Sequence, residues 1–144
     1  ESYHKKYVQT YKIYCMVRNP YSRVVSAWKW RNKANNIKHR DYRPKSFKNW
    51  VLNLNMNSLI SKTILSHLHS NYVDIDDIKF IRFENLQTDF DVFCNKVGIP
   101  RVDLPHKNDS NYRHYKEYYD DEIRQIVAEK YAKDIEYFGY KFGE

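Results

Sequence analysis

The junction Lys12-Ile13-Tyr14-Cys15-Met16-Val17-Arg18-Asn19-Pro20 constrains this chain more than any other stretch. A short apolar run rich in β-formers, Lys12 to Val17, reads as a buried strand. Asn19 is a good N-cap. Pro20 suits the first helical position, where its preset φ helps and its missing N–H costs nothing. A helix from Pro20 to about Lys33 follows, carrying Val24, Val25, Ala27 and Trp28. A strand that runs directly into a helix is the repeating unit of α/β folds, and it leaves Arg18 at the strand's carboxyl end, where open α/β sheets place their ligands.

The rest of the chain extends that pattern. Residues 32–43 are polar and basic and read as a loop. Ser46 can cap a short helix holding Phe47, Trp50, Val51 and Leu54, and Leu59 to Leu68 looks helical again. Ile78-Lys79-Phe80-Ile81-Arg82-Phe83 alternates like a second strand. Leu86, Phe90, Phe93 and Val97 then recur at helical spacing and stop at Gly98. Residues 99–118 show little periodicity and read as an ordered loop. Asp120-Asp121-Glu122 opens a last helix with Ile123, Ile126, Val127, Tyr131, Ile135 and Phe138 along one face. Two strands separated by helices predict a parallel sheet, yet two are few for a stable sheet of that kind. The expectation is therefore one incomplete α/β domain over 1–144, whose open strand edge invites a homo-oligomer.

Charge points to the kind of partner. Residues 1–50 hold thirteen Lys or Arg against Glu1 and Asp41, a net of eleven positive, while residues 51–144 are net four negative. A basic half of this kind attracts anions such as nucleotides, acidic glycans, nucleic acid or a membrane surface, and it is also what a solvated basic face looks like. No apolar run is long enough to span a bilayer, and the chain starts at Glu1 with no signal segment, so Glu1 is either a boundary within a longer sequence or a processing site, and the compartment is left open. Cys15 and Cys94 fit no metal or redox spacing and are expected to be small buried hydrophobes. His67 and His69 alternate along a helix, which separates them by face and argues against a shared metal.

The chemistry concentrates in Val17-Arg18-Asn19-Pro20-Tyr21-Ser22-Arg23-Val24-Val25-Ser26-Ala27-Trp28. Arg18 offers a planar fork to a phosphate, the following helix starts at the same mouth with its N–H groups and positive dipole end, and Ser22 and Ser26 share one helix face. That is an anion clamp, and equally it is a way to cap a helix.

This run resembles the 3′-phosphate-binding segment of sulfotransferases, enzymes that use 3′-phosphoadenosine-5′-phosphosulfate (PAPS) as sulfuryl donor, and is most similar to the carbohydrate-type members. The family pattern is an apolar strand, Arg-[Asp/Asn]-Pro, a second Arg five residues on and a Ser three further. The resemblance places Arg18 and Ser26 on the phosphate, with Arg23, Asn19 and Ser22 in the same binding segment. Downstream, Phe80-Ile81-Arg82-Phe83-Glu84-Asn85-Leu86 is similar to the family's second strand and its ending, and Gly98-Ile99-Pro100 follows as it commonly does there. Leu104-Pro105-His106-Lys107-Asn108-Asp109-Ser110 is similar to a loop of many members, which makes Lys107, Asn108, Ser110 and Arg113 candidates to close over the nucleotide. Asp134-Ile135-Glu136-Tyr137-Phe138-Gly139-Tyr140 resembles the closing segment. The matched segments lie in family order across roughly residues 11–142.

What the resemblance implies is a partial P-loop-type sulfotransferase fold, a short parallel sheet flanked by helices, that takes a nucleotide donor and a carbohydrate acceptor. It implies no metal and no nucleic-acid partner. One family element has no counterpart here: the Pro-Lys-x-Gly-[Ser/Thr]-[Ser/Thr] loop that cradles the 5′-phosphosulfate. None of Gly98, Gly139 and Gly143 sits in such a loop, and Pro44-Lys45-Ser46 reads better as the lead-in to the helix at Phe47. The family's base usually lies upstream of the matched segment, and nothing around His4 marks it for that role, so the catalytic residue is left unassigned. Glu84 is expected to cap the next helix or pair with Arg82 or another basic side chain rather than act as base. The tyrosines at 112, 115, 118 and 119 suit either a base or sugar stack or packing around the last helix. Two other functions compete: a non-catalytic nucleotide- or glycan-binding remnant of the same fold, and a basic nucleic-acid-binding module.

Overall fold

The structure, a computed structural model, describes residues 13–32, 46–54, 78–105 and 113–144. His4, Pro44, Lys45, His67, His69, Lys107, Asn108, Ser110, Tyr112 and the helix expected at Leu59–Leu68 lie outside the described residues. The chain divides into two compact units, Glu1–Arg18 with Tyr72–Tyr112, and Asn19–Asn71 with Arg113–Glu144.

In the first unit, β1 (Tyr14–Val17) and β2 (Lys79–Arg82) pair in parallel, with Tyr14 opposite Lys79 and Val17 opposite Arg82. Parallel pairing needs a long crossover, and the intervening sequence supplies one. A 3-10 turn at Phe83–Asn85 leads into α3 (Leu86–Val97), which packs on β2. Phe93 of α3 meets Tyr14 edge-on at 4.7 Å and stacks on Phe90 at 5.8 Å. Gly98 ends α3 as its spacing predicted, with φ 73°, a left-handed conformation that an L side chain resists.

One expectation for this unit changes. β1 is less buried than its apolar run implies: Val17 is buried, Cys15 is half-buried and Met16 is 54% exposed. Among the described residues β1 has a single strand neighbour, so only part of it is covered. The N-cap position of α3 is Asn85, whose side chain makes no capping hydrogen bond. The carboxylate that ties strand to helix is Asp89, whose Oδ2 accepts the Arg82 N–H at 2.7 Å.

The second unit holds α1 (Pro20–Asn32), α2 (Phe47–Leu54), a 3-10 turn at Tyr115–Tyr118, α4 (Asp121–Lys130) and α5 (Ala132–Phe138). Its core joins Tyr21, Val24 and Val25 of α1, Phe47, Trp50 and Val51 of α2, and Ile123, Val127 and Tyr131 from the last helical stretch. Full burial of each such side chain favours folding by roughly 1.5–3 kcal/mol, which is why short helices hold here. Ser46 caps α2 as the sequence named it, while Asp120, read as an acid of the first turn, is the N-cap of α4. Ser46 Oγ accepts the Asn49 N–H at 3.1 Å, and Asp120 accepts the Ile123 N–H at 2.9 Å.

The last helix is not continuous: it breaks between α4 and α5 at Tyr131, with φ −111° and ψ 23°. The hydrogen-bond ladder persists across the break, Tyr131 N–H to the Val127 carbonyl and Ile135 N–H to the Tyr131 carbonyl, so the result is a kink. The Tyr131 ring is fully buried there under the Arg23 guanidinium, 4.9 Å from its centroid, and this packing outweighs helical regularity. The described end of the loop read as ordered holds a 3-10 turn. His114 and Glu117 close a capping box on the 3-10 turn, and Tyr115 and Tyr119 pack edge-on against Phe142 at 5.8 and 5.4 Å. Tyr118 lies 6.0 Å from Phe47. Burial pushes the Tyr119 phenol up and that of Tyr131 to about 12, so both stay neutral near pH 7.

Candidate functional site

Arg18 follows the last residue of β1, and the parallel register puts it beside Phe83, the residue that follows β2. Its guanidinium carbon lies 4.0 Å from the Phe83 ring centroid. In the second unit, Pro20 opens α1 with no acidic residue in the first turn, which leaves the positive end of the helix dipole unneutralised by its own side chains.

Asn19 is buried and uses both ends of its amide. Oδ1 accepts the Tyr21 N–H at 3.0 Å, and Nδ2 donates to the Lys141 carbonyl at 3.0 Å. Ser22 Oγ donates to the Asn19 carbonyl at 3.2 Å. Arg23 Nη2 donates to Asp134 Oδ2 at 3.0 Å, with the side chains only 11% and 1% exposed. Ser26 is half-buried on α1. Arg113 is exposed, 3.9 Å from Glu117.

The three residues between Arg18 and Ser26 that were read as binding residues thus hold the start of α1 in place. The Asn19 cap takes one amide of the first turn and Pro20 contributes none, so the helix end offers fewer donors than the bare pattern implied. Replacing Asn19 by alanine removes the cap and leaves the Lys141 carbonyl without its Asn19 donor. The expected cost is about 1–2 kcal/mol of stability in urea unfolding, and a loss below the error of the method would remove Asn19 from this role.

Among the described residues, no group of three or more His, Cys, Asp or Glu is arranged to hold a metal ion, and no helix is long and apolar enough to cross a membrane. A family model described as "Sulfotransferase family" matches residues 1–141. The chain belongs to the sulfotransferase family. No curated protein and no solved structure gives a significant match.

Sulfotransferases carry a sulfuryl group from a nucleotide donor to an acceptor, so the chain is of a class with donor and acceptor sites. The match extends over both the strand–helix junction at Arg18 and the segment holding Asp134. Two residues, one in each unit, escaped the reading of the sequence. Phe83 stood inside a segment already singled out, but only the strand register shows that it meets Arg18. Asp134 opened the closing segment, yet it stands 111 residues from the arginine it pairs with.

Proposed function

We propose that this chain carries the 3′-phosphate-binding half of a sulfotransferase that moves a sulfuryl group from PAPS to a carbohydrate hydroxyl. The observation that carries the proposal is Arg18 at the carboxyl end of a parallel strand, followed at once by a helix whose first turn bears no acid. Arg18 and Ser26 contact the 3′-phosphate; Asn19, Ser22 and Arg23 hold the segment that presents them. Lys107, Asn108, Ser110 and Arg113 contribute the loop over the nucleotide.

In the reaction, the acceptor oxygen bonds to sulfur as the bond from sulfur to the 5′-phosphate oxygen breaks; the hydroxyl proton is released to solvent and adenosine 3′,5′-bisphosphate leaves. Arg18 orients and neutralises the far end of that nucleotide as a charge-assisted donor. The basic stretch of residues 1–50 draws the anionic donor, and an acidic glycan, toward the site.

Calorimetric titration with adenosine 3′,5′-bisphosphate, adenosine 5′-monophosphate and a random oligonucleotide tests the reading. The bisphosphate is expected to bind best, and Arg18→Ala is expected to lose about 2–4 kcal/mol of that binding. Unchanged bisphosphate affinity in Arg18→Ala would overturn the assignment. An oligonucleotide that binds as tightly as the bisphosphate favours the nucleic-acid reading.

A further inference from the structure

We infer that Phe83 is a positioning residue, an aromatic platform that orients the Arg18 guanidinium toward the anion it binds. The inference rests on the reading of Arg18 as a phosphate ligand, and it adds a second residue to that site.

The placement follows from the sheet. Val17 and Arg82 are the last paired residues of β1 and β2, so in a parallel pair the next residues, Arg18 and Phe83, leave the sheet side by side. The 3-10 turn at Phe83–Asn85 starts immediately, and Asp89 anchors the preceding Arg82 N–H at 2.7 Å. Both fix the backbone from which the ring projects.

The ring itself is out of character for a residue placed only for packing. It is 41% exposed, and the guanidinium lies 4.0 Å from its centroid, well within cation–π range. A guanidinium held over a ring at this distance is restrained in the directions its rigid N–H fork can take. An arginine otherwise loses much rotamer freedom when it grips a phosphate. A platform that restrains it beforehand lowers that cost and tightens binding without touching the ligand.

The test is a double-mutant cycle on the full 144-residue chain, read by titration with adenosine 3′,5′-bisphosphate and with adenosine 5′-monophosphate, which lacks the 3′-phosphate. Phe83→Leu keeps apolar bulk and removes the ring; Phe83→Tyr keeps the ring. Phe83→Leu is expected to weaken bisphosphate binding by about two- to fivefold and to leave monophosphate binding unchanged. Phe83→Tyr restores the parent affinity. In an Arg18→Ala background, Phe83→Leu has no further effect, because the residue it acts through is gone.

If Arg18→Ala weakens bisphosphate binding but Phe83→Leu does not, the positioning role is wrong and the Arg18 reading stands. A Phe83→Leu loss of equal size in both backgrounds, or on both nucleotides, also overturns it, since the ring then acts elsewhere. If Arg18→Ala changes nothing, the Arg18 reading falls and takes this inference with it.

Discussion

Asp134→Ala is expected to lose about 3–5 kcal/mol of folding stability, the scale measured when one partner of a buried ion pair is removed. Its side chain is 1% exposed and holds Arg23 Nη2 at 3.0 Å, while the guanidinium rests 4.9 Å from the centre of the Tyr131 ring. Without that carboxylate a nearly buried cation keeps its desolvation cost and loses its nearest anion. The pair ties α1 to α5, so its loss also loosens the helix that opens at Asn19–Pro20. Asp134→Asn, which keeps an acceptor but not the charge, falls between the parent and the alanine variant. Urea unfolding followed by circular dichroism reads both. A loss below about 1 kcal/mol in Asp134→Ala would mean that the pair is worth no more than an exposed one. By contrast, the bridges from Lys48 to Asp120 and Glu122 are exposed on both sides, and they are expected to matter little to stability.

The 144 residues by themselves are expected to show no PAPS-dependent sulfation, even where they bind the bisphosphate. Sulfuryl transfer builds charge on the leaving 5′-phosphate oxygen, and electrostatic stabilisation at that atom is usually the largest catalytic contribution. The family resemblance assigns that task to a Gly-rich loop and its lysine, and none of the chain's three glycines belongs to one. Loss of one such donor typically costs ~10²–10³ in rate, and lack of a general base a further ~10²–10⁴. The nearest stand-in, Pro44-Lys45-Ser46, has already committed the Ser46 hydroxyl to the Asn49 amide at 3.1 Å. Labelled PAPS with a panel of sugar acceptors checks the expectation. Robust transfer by this chain would show that another segment supplies the missing donors, and Lys45→Ala would then be the first variant to lose activity. Bisphosphate binding without transfer is the outcome that fits the reading of a donor-binding half.

Local patterning settled several features whose cause lies within a few residues. The strand at Tyr14–Val17 that passes into a helix at Pro20, the Ser46 cap and the Gly98 stop each depend on backbone preferences or on a side chain reaching three residues ahead. The parallel α/β arrangement followed from strand character interrupted by helices, and family membership from motifs at fixed spacing. What the tertiary structure alone decided are pairings across long stretches of chain: Arg23 with Asp134, the Asn19 amide with the Lys141 carbonyl, and Arg18 with Phe83. No periodicity encodes these, because a charge or a ring gives no sign in sequence of which distant element will face it. The kink at Tyr131 and the exposure of Met16 have the same origin. Helix propensity and apolar character were read correctly there, but burial depends on which neighbours arrive, and packing free energy outweighs local preference wherever the two compete.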